Sequence, residues 1–231
     1  MADFLAVIPA RGGSRRIAHK NLRPLAGYPL IEWTLAVLAT IPRLPVLVSS
    51  DDPAILALAS HYPKFGFDLR PERYSGDDAG DLPLFQYLVR KYSVAAHAVI
   101  LHLRPTAPFR RREEIIEVAE FLQTGMVDSV RSVIPAPYPP QKMYLEDGLL
   151  VPATWDHGAN DPDQALLPAW LAAGFIDAVR ASTILAGSME GVLIAPWKVP
   201  ADRAVDLNTE ADWAAAEAVA KQHGWRPGEI A

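Results

Sequence analysis

The sequence predicts an α/β fold in which a mainly parallel sheet alternates with helices. Three observations carry that expectation. Short apolar runs recur along the chain and read as buried strands. Between them lie segments whose apolar residues fall at helical spacing, bounded by capping residues and prolines. Strand and helix alternate in order, which is the pattern of βαβ units. A chain of 231 residues, half of them hydrophobic, is long enough to bury a substantial core as one large domain.

The first apolar run, 4–8, ends at Pro9 and opens into a basic, glycine-rich loop. A helix over 30–40 follows, with Pro29 suited to its first position and Ile31, Thr34, Leu35 and Leu38 on one face. Pro42 and Pro45 end it, and 46–48 is the second buried strand. Asp52 before Pro53 is an N-cap with proline at N1, so the next helix begins there and stops at Pro63. A short strand over 67–69 leads to Arg70-Pro71 and a polar loop over 75–81. A helix is expected over 82–92, a buried strand over 98–103, and a helix over 113–123 with Gly125 as its stop. The segment 129–134 reads as a strand.

Region 135–168 changes character. It is rich in proline and aspartate, with a hairpin expected around Glu146-Asp147-Gly148. It reads as an excursion from the sheet: a lid, a dimer arm, or both. Pro137 to Pro140, with Tyr138, form a rigid linker into it. Later strands are expected over 175–179, 191–195 and 204–206. A final amphipathic helix spans 209–221, with Thr209 and Asp212 forming its capping pattern.

Composition narrows the class of function. The chain has no cysteine, which excludes a disulfide framework and a thiolate metal site. No apolar run approaches a membrane span, and the first strand starts too soon to leave room for a signal peptide. A cytoplasmic protein with no membrane partner is therefore expected. The net charge of −5, set against one locally basic loop, points to a small anionic ligand rather than nucleic acid.

That loop runs Ile8-Pro9-Ala10-Arg11-Gly12-Gly13-Ser14-Arg15-Arg16-Ile17-Ala18-His19-Lys20-Asn21, with Arg11, Arg15, Arg16 and Lys20 close together. Gly12 and Gly13 carry no Cβ, so backbone N–H groups there can approach a ligand closely. Such donors with guanidinium and ammonium groups suit a polyphosphate. The pattern is neither a P-loop nor G-x-G-x-x-G. A solvated basic turn is the plain alternative. The place of the loop after a first buried strand favours a phosphate site, because open α/β sheets bind ligands beyond strand carboxyl ends. His102 falls inside a strand and reads as a packed core residue; Trp33 and Trp213 read as helix-face core. The remaining histidines show no metal-ligand spacing.

Seven stretches in order resemble the CMP-sialic acid synthetases (acylneuraminate cytidylyltransferases). They are Ile8 to Arg15; Lys20-Asn21 with Leu25 to Ile31; Val48-Ser49-Ser50-Asp51; Arg70-Pro71 with Gly76 to Ala79; Leu103 to Arg110; Asp128 to Val133; and Val205 to Asp212. The resemblance implies a Rossmann-like nucleotidyltransferase in a single domain, 1–231. Helices would cover both faces of its sheet, and 135–168 would form a small dimerisation arm. It implies a homodimer that couples CTP to a nine-carbon α-keto sugar acid, releasing pyrophosphate with the help of Mg²⁺.

By the same resemblance, Ala10, Arg11, Gly12, Gly13, Ser14 and Arg15 form the nucleotide loop. Arg15, Lys20 and Asp206 are catalytic. Asn21, Arg70, Asp77, Asp81 and Arg104 lie around the nucleoside. Gln164, Ala173 and Gly174 lie at the sugar, and Asp206 with Asn208 holds the metal.

The chain departs from the family pattern in three places. Asn208 stands where a second aspartate is usual. Asp163, Ala173 and Asp177 replace an arginine, an asparagine and a tyrosine in the sugar region, which unsettles the preference for an anionic acceptor. Arg104 and Asp81 stand where small or amide groups are usual, and a carboxylate there suits an exocyclic amine of cytosine or of guanine. Two other readings therefore stand beside the first. One is a nucleotidyltransferase of the same fold using a sugar 1-phosphate with GTP or CTP; the other is a nucleotide-binding relative without catalysis.

Overall fold

The computed structural model describes residues 3–14, 16–76, 78–154 and 158–230. The first strand, β1 (Phe4–Pro9), leads through the basic loop to a small hairpin of β2 (Pro24–Leu25) and β3 (Tyr28–Pro29), then to α1 (Leu30–Ala39). The chain continues as β4 (Val46–Ser50), α2 (Pro53–Ala59), β5 (Phe65–Leu69), α3 (Asp81–Lys91), β6 (Val99–His102), α4 (Arg112–Gln123) and β7 (Ser129–Pro135). The excursion holds β8 (Tyr144–Asp147) and β9 (Leu149–Pro152). After it come β10 (Trp170–Ala172), β11 (Asp177–Arg180), α5 (Ala181–Leu185), β12 (Ile194–Lys198) and α6 (Glu210–His223).

Strands β5, β4, β1 and β6 pair in that order and run parallel. β11 enters antiparallel between β6 and β7. Three strands pair with β7: β10 and β11 antiparallel, and β12 parallel. Ser129 and Val130 pair with both β11 and β12, and Val133 pairs with both β10 and β12. A strand has two edges, so β10 and β11 share one edge of β7 and β12 takes the other. The expected mainly parallel α/β sheet is present.

Alternation along the strands divides the core. Ala6 and Ile8 of β1 point into a cluster with Ile31 and Leu35 of α1, Ile55 of α2 and Ile115 of α4. Val7, with Leu47 and Ile100, faces the other way against Leu84, Phe85 and Leu88 of α3 and Ile184 of α5. A third cluster fixes α6 and the β2–β3 hairpin around Trp33, Phe109, Trp213 and Trp225. Trp33 and Phe109 meet edge to face at 5.2 Å.

Local chemistry explains most element ends. Asp52 accepts from the Ala54 N–H, with Pro53 at N1, as expected. Thr209 and Asp212 form the expected capping box, and Gly224 closes α6 in a left-handed conformation. The hairpin turns at Gly148, where φ is +71°.

The structure differs from the sequence expectation where side chains replace ladder bonds. Phe175 and Ile176 are buried, but their N–H groups donate to Ser132 Oγ, so the strand begins only at Asp177. The strand expected over 191–195 begins at Ile194, because Val192 and Leu193 donate their N–H groups to Asp128 Oδ2. Residues 204–206 form no strand: Val205 N–H turns back to Arg203 O, and Leu207 N–H reaches Thr106 O at 2.9 Å.

Replacing Trp33, which is fully buried between these elements, leaves a large void. Trp33→Ala is expected to destabilise the fold by about 3–5 kcal/mol, read as a lower denaturant midpoint with little change in slope.

Candidate functional site

The carboxyl ends of β1, β5 and β6 meet at a cleft of about 280 Å³. Of the residues singled out from the sequence, Arg11, Gly13, Ser14, Lys20, Asn21, Arg70, Asp81 and Arg104 line it. Tyr74, Pro105 and Thr106 line it too and were not foreseen. Arg15 and Asp77 lie outside the described residues.

The loop after β1 is tied down at its base. Ala10 is fully buried and continues the ladder to Ser49 O at 2.9 Å. Gly12 N–H donates to Asp51 Oδ1 at 2.9 Å. A Cβ on Gly12 would stand 2.7 Å from Asp52 Cβ, so this glycine exists for close approach to α2, not to a ligand. Gly13 has open space around it, on the cleft side. Asn21 is buried and donates its amide to Arg11 O at 2.8 Å, bracing the loop from within. Arg11 reaches Gly76 O at 3.3 Å and so joins the loop to the segment before α3.

Arg70 is held from behind. Its Nη2 donates to Ser49 O at 2.7 Å and its Nε to Ser49 Oγ at 3.3 Å. Ser49 Oγ in turn donates to the buried carboxylate of Asp68 at 2.9 Å, which Lys91 Nζ neutralises at 2.7 Å. Burial pushes the Arg70 guanidinium below its usual pKa, and Asp51, Asp68 and Asp81 oppose that shift. Asp68 and Lys91 had no site motif to mark them; the sheet register brings them there.

Lys20 crosses the cleft to the segment before α6. Its ammonium donates to Leu207 O at 2.9 Å and lies 3.5 Å from Asn208 Oδ1. Burial lowers its pKa from 10.5, and the nearby Asp206 carboxylate works against that shift. Asn208 Nδ2 donates to Asp206 Oδ2 at 2.6 Å. The amide at 208 thus does two jobs: its oxygen faces a cation and its nitrogen orients a carboxylate. Among the described residues no three His, Asp or Glu side chains gather as a metal cluster. The exposed Asp206 carboxylate is a hard oxygen donor of the kind magnesium accepts when phosphates complete its shell. The residues fit that arrangement through Asp206, whereas Asn208 acts on Asp206 rather than presenting a free oxygen.

The sugar-region residues divide. Gly174 lies against Arg104: a Cβ there would stand 3.1 Å from Arg104 Nη1. Ala173 donates its N–H to Ser132 O and packs its methyl against the core. Gln164 sits exposed in the turn Asp163–Ala165 of the excursion and does not line the cleft. Asp163, the reversed charge in that region, pairs with Lys142. The fully buried Arg110 ties these parts together, donating to Arg104 O at 2.6 Å, Thr34 Oγ1 at 3.1 Å and Phe175 O. Burial pushes its pKa down to about 9.

The sequence profile of the family described as "Cytidylyltransferase" matches residues 5–141, which carry β1, the loop and every strand end around the cleft. The chain belongs to the cytidylyltransferase family. It is 39% identical over 137 residues to a CMP-N,N'-diacetyllegionaminic acid synthase of Legionella pneumophila, covering 57% of this chain and 58% of that one. It is 33% identical over 122 residues to an N-acylneuraminate cytidylyltransferase of Escherichia coli, covering 52% of this chain and 28% of that one. The matches thus span from 28% to 58% of the length of these two relatives. Among solved structures, a CMP:2-keto-3-deoxy-manno-octonic acid synthetase complexed with CTP has the same fold, with TM-score 0.66, 16% identity and coverage of 96% of this chain and 99% of that one. A 4-diphosphocytidyl-2C-methyl-D-erythritol synthase shares it at TM-score 0.63 and 13% identity, covering 94% and 98%. The Rossmann-like nucleotidyltransferase sheet expected from the sequence is the fold of this chain.

The two glycines of the loop separate by experiment. Gly12→Ala is expected to cost about 1–3 kcal/mol through overpacking against Asp52. Gly13→Ala is expected to change stability by less than about 0.5 kcal/mol. Thermal unfolding of the two variants side by side reads the difference.

Proposed function

We propose that this protein transfers CMP from CTP to the anomeric hydroxyl of a nonulosonic sugar acid, releasing pyrophosphate. The convergence of Arg11, Lys20 and Arg70 on one cleft, with Lys20 bound to the 206–208 segment, carries the reading. The names of the two relatives above, a CMP-N,N'-diacetyllegionaminic acid synthase and an N-acylneuraminate cytidylyltransferase, support it. The acceptor hydroxyl attacks the α-phosphorus in line, and the bond from that phosphorus to the bridging oxygen breaks. Negative charge collects on the departing pyrophosphate. Lys20 and Arg11 are positioned to offset it, and the family resemblance assigns Arg15 to the same task. Arg70, Gly13 and Ser14 bind and orient the nucleotide, with Asn21 bracing the loop that holds it. Magnesium bound by Asp206 and the phosphate oxygens would supply charge neutralisation on the triphosphate. Asn208 keeps the Asp206 carboxylate aimed.

The chain acts as a homodimer in this reading. The excursion exposes Leu145, Leu149 and Leu150 at 62%, 79% and 69%, more apolar surface than a lone hairpin leaves open to water without use. A second copy of the chain is the partner that the arm fits. No helix among the described residues is long and apolar enough to cross a membrane. A cytoplasmic setting suits a CTP-consuming protein without cysteine. Because Lys142 neutralises Asp163, the charge reversal there presents no free carboxylate against an acidic acceptor.

Incubation with CTP, Mg²⁺ and a panel of nonulosonic acids is expected to release pyrophosphate. No release with any of them, at enzyme concentrations that saturate CTP, overturns the reading. Asp206→Ala is expected to lower kcat about 100-fold or more while leaving the melting temperature close to wild type. The lowered pKa of Lys20 adds a pH signature. The ammonium must stay protonated to meet phosphate, so activity falls on the alkaline side at a pH below the ordinary 10.5 of lysine. Lys20→Arg keeps the cation and is expected to move that limb upward; an unmoved limb removes Lys20 as its source.

A further inference from the structure

Arg104 is held between two carboxylates of different character. On one side its Nη1 donates to Asp177 Oδ2 at 2.8 Å. Asp177 is only 4% exposed, and its other oxygen accepts from Ser132 N–H at 3.0 Å and Ser132 Oγ at 2.9 Å. Arg131 adds a second guanidinium at 3.1 Å and itself pairs with Glu190 at 3.2 Å. Asp177 is therefore a fixed anchor. On the other side Arg104 Nη2 donates to Asp81 Oδ2 at 2.9 Å. Asp81 is the first residue of α3, and its side chain is 42% exposed. Its second neighbour, His102, lies 3.9 Å away and is fully buried with both ring nitrogens unpartnered. Burial pushes that imidazole well below its usual pKa, so it is neutral and adds no charge to hold Asp81.

Both Arg104 and Asp177 are departures from the family pattern, and the structure shows that they depart together as an ion pair. We propose that Arg104 receives the carboxylate of the acceptor sugar acid, and that Asp81 stands in for that carboxylate until the acceptor arrives. The proposal rests on the sugar-acid reading above and assigns a residue to it. Exchanging one carboxylate for another leaves the charge around the buried part of the network unchanged, so the exchange exposes no unpaired guanidinium. The planar fork of arginine matches a carboxylate, and one arm is already locked by Asp177. Gly174, with φ at +60°, leaves the space that Arg104 Nη1 occupies. That glycine belongs to the segment the sequence assigned to the sugar. Arg104 thus faces the acceptor end of the cleft, while Lys20 and Arg11 are left to the triphosphate.

The test pairs two variants and two acceptors. Wild type, Arg104→Gln and Asp81→Asn are assayed with a nonulosonic acid that wild type turns over and with its C1 amide. CTP binding to each protein is measured by calorimetry. Wild type is expected to prefer the acid. Arg104→Gln is expected to raise the KM for the acid about tenfold or more and to lose the preference over the amide. Its CTP Kd should stay within about twofold of wild type. Asp81→Asn removes the competing carboxylate and is expected to lower the KM for the acid. If Arg104→Gln weakens CTP binding and keeps the acid-over-amide preference, the proposal is overturned and Arg104 belongs to the nucleotide. If Asp81→Asn raises the KM for the acid, the stand-in role is overturned. A wild type that releases pyrophosphate with no sugar acid fails at the earlier step, and that outcome discards the function reading itself.

Discussion

The parallel pairing of β1 with β4 and β6 decides where every other part can stand. Parallel strands end together, so three carboxyl ends and three loops meet at one edge of the sheet. Charge gathers there, and each charge needs a partner close by. The first loop is anchored to the end of β4 through Gly12 and Asp51. The segment before α6 is anchored to the end of β6 through Leu207 and Thr106. Lys20 then bridges the two anchored pieces. The Gly12–Asp51 contact could not form if β1 and β4 shifted register by one residue, because the inward and outward residues would exchange faces.

Within that frame the cations differ in how they are held. Arg70 is backed by a chain from Ser49 to Asp68 and Lys91, so its position is set by the sheet. Arg110 is buried against neutral oxygens and serves to join the β6–α4 loop to Gly174 and Phe175. Lys20 donates to a backbone carbonyl and lies beside an amide oxygen, bonds that phosphate oxygens can replace at small cost. Arg104 has one arm committed to a buried carboxylate and one to an exposed carboxylate. This grading, from fixed to exchangeable, runs from the core to the cleft mouth.

Most of the framework was legible in the sequence because each strand is a separate apolar run and each long helix carries its own cap. Asp52 with Pro53, and Thr209 with Asp212, mark helix starts in one dimension and do so in three. What escaped notice depends on long-range contact. Ser132 takes the N–H groups of Phe175 and Ile176, and Asp128 takes those of Val192 and Leu193. Both contacts move strand starts by two or three residues, and neither pair is near in sequence. The cleft itself was legible as a set of residues but not as a set of roles. Gly12 looked like a ligand contact and is a loop brace, while Asn21 lines the cleft and braces the loop as well. Asp177 looked like a lost tyrosine and is the anchor of Arg104. Gln164 was assigned to the sugar by motif position, yet the excursion carries it to an exposed turn away from the cleft.

The central claim is that this cleft is built for one nucleotide. Thermal unfolding of the purified protein with CTP, UTP, GTP and ATP, each with and without Mg²⁺, tests it most directly. A ligand that binds the folded state stabilises it by mass action, by about 2.7 kcal/mol at 100 times its Kd. The account predicts a rise in melting temperature with CTP that exceeds the rise with the other three, and a larger rise when Mg²⁺ is present. Equal shifts with all four, or a larger shift with GTP, would contradict it.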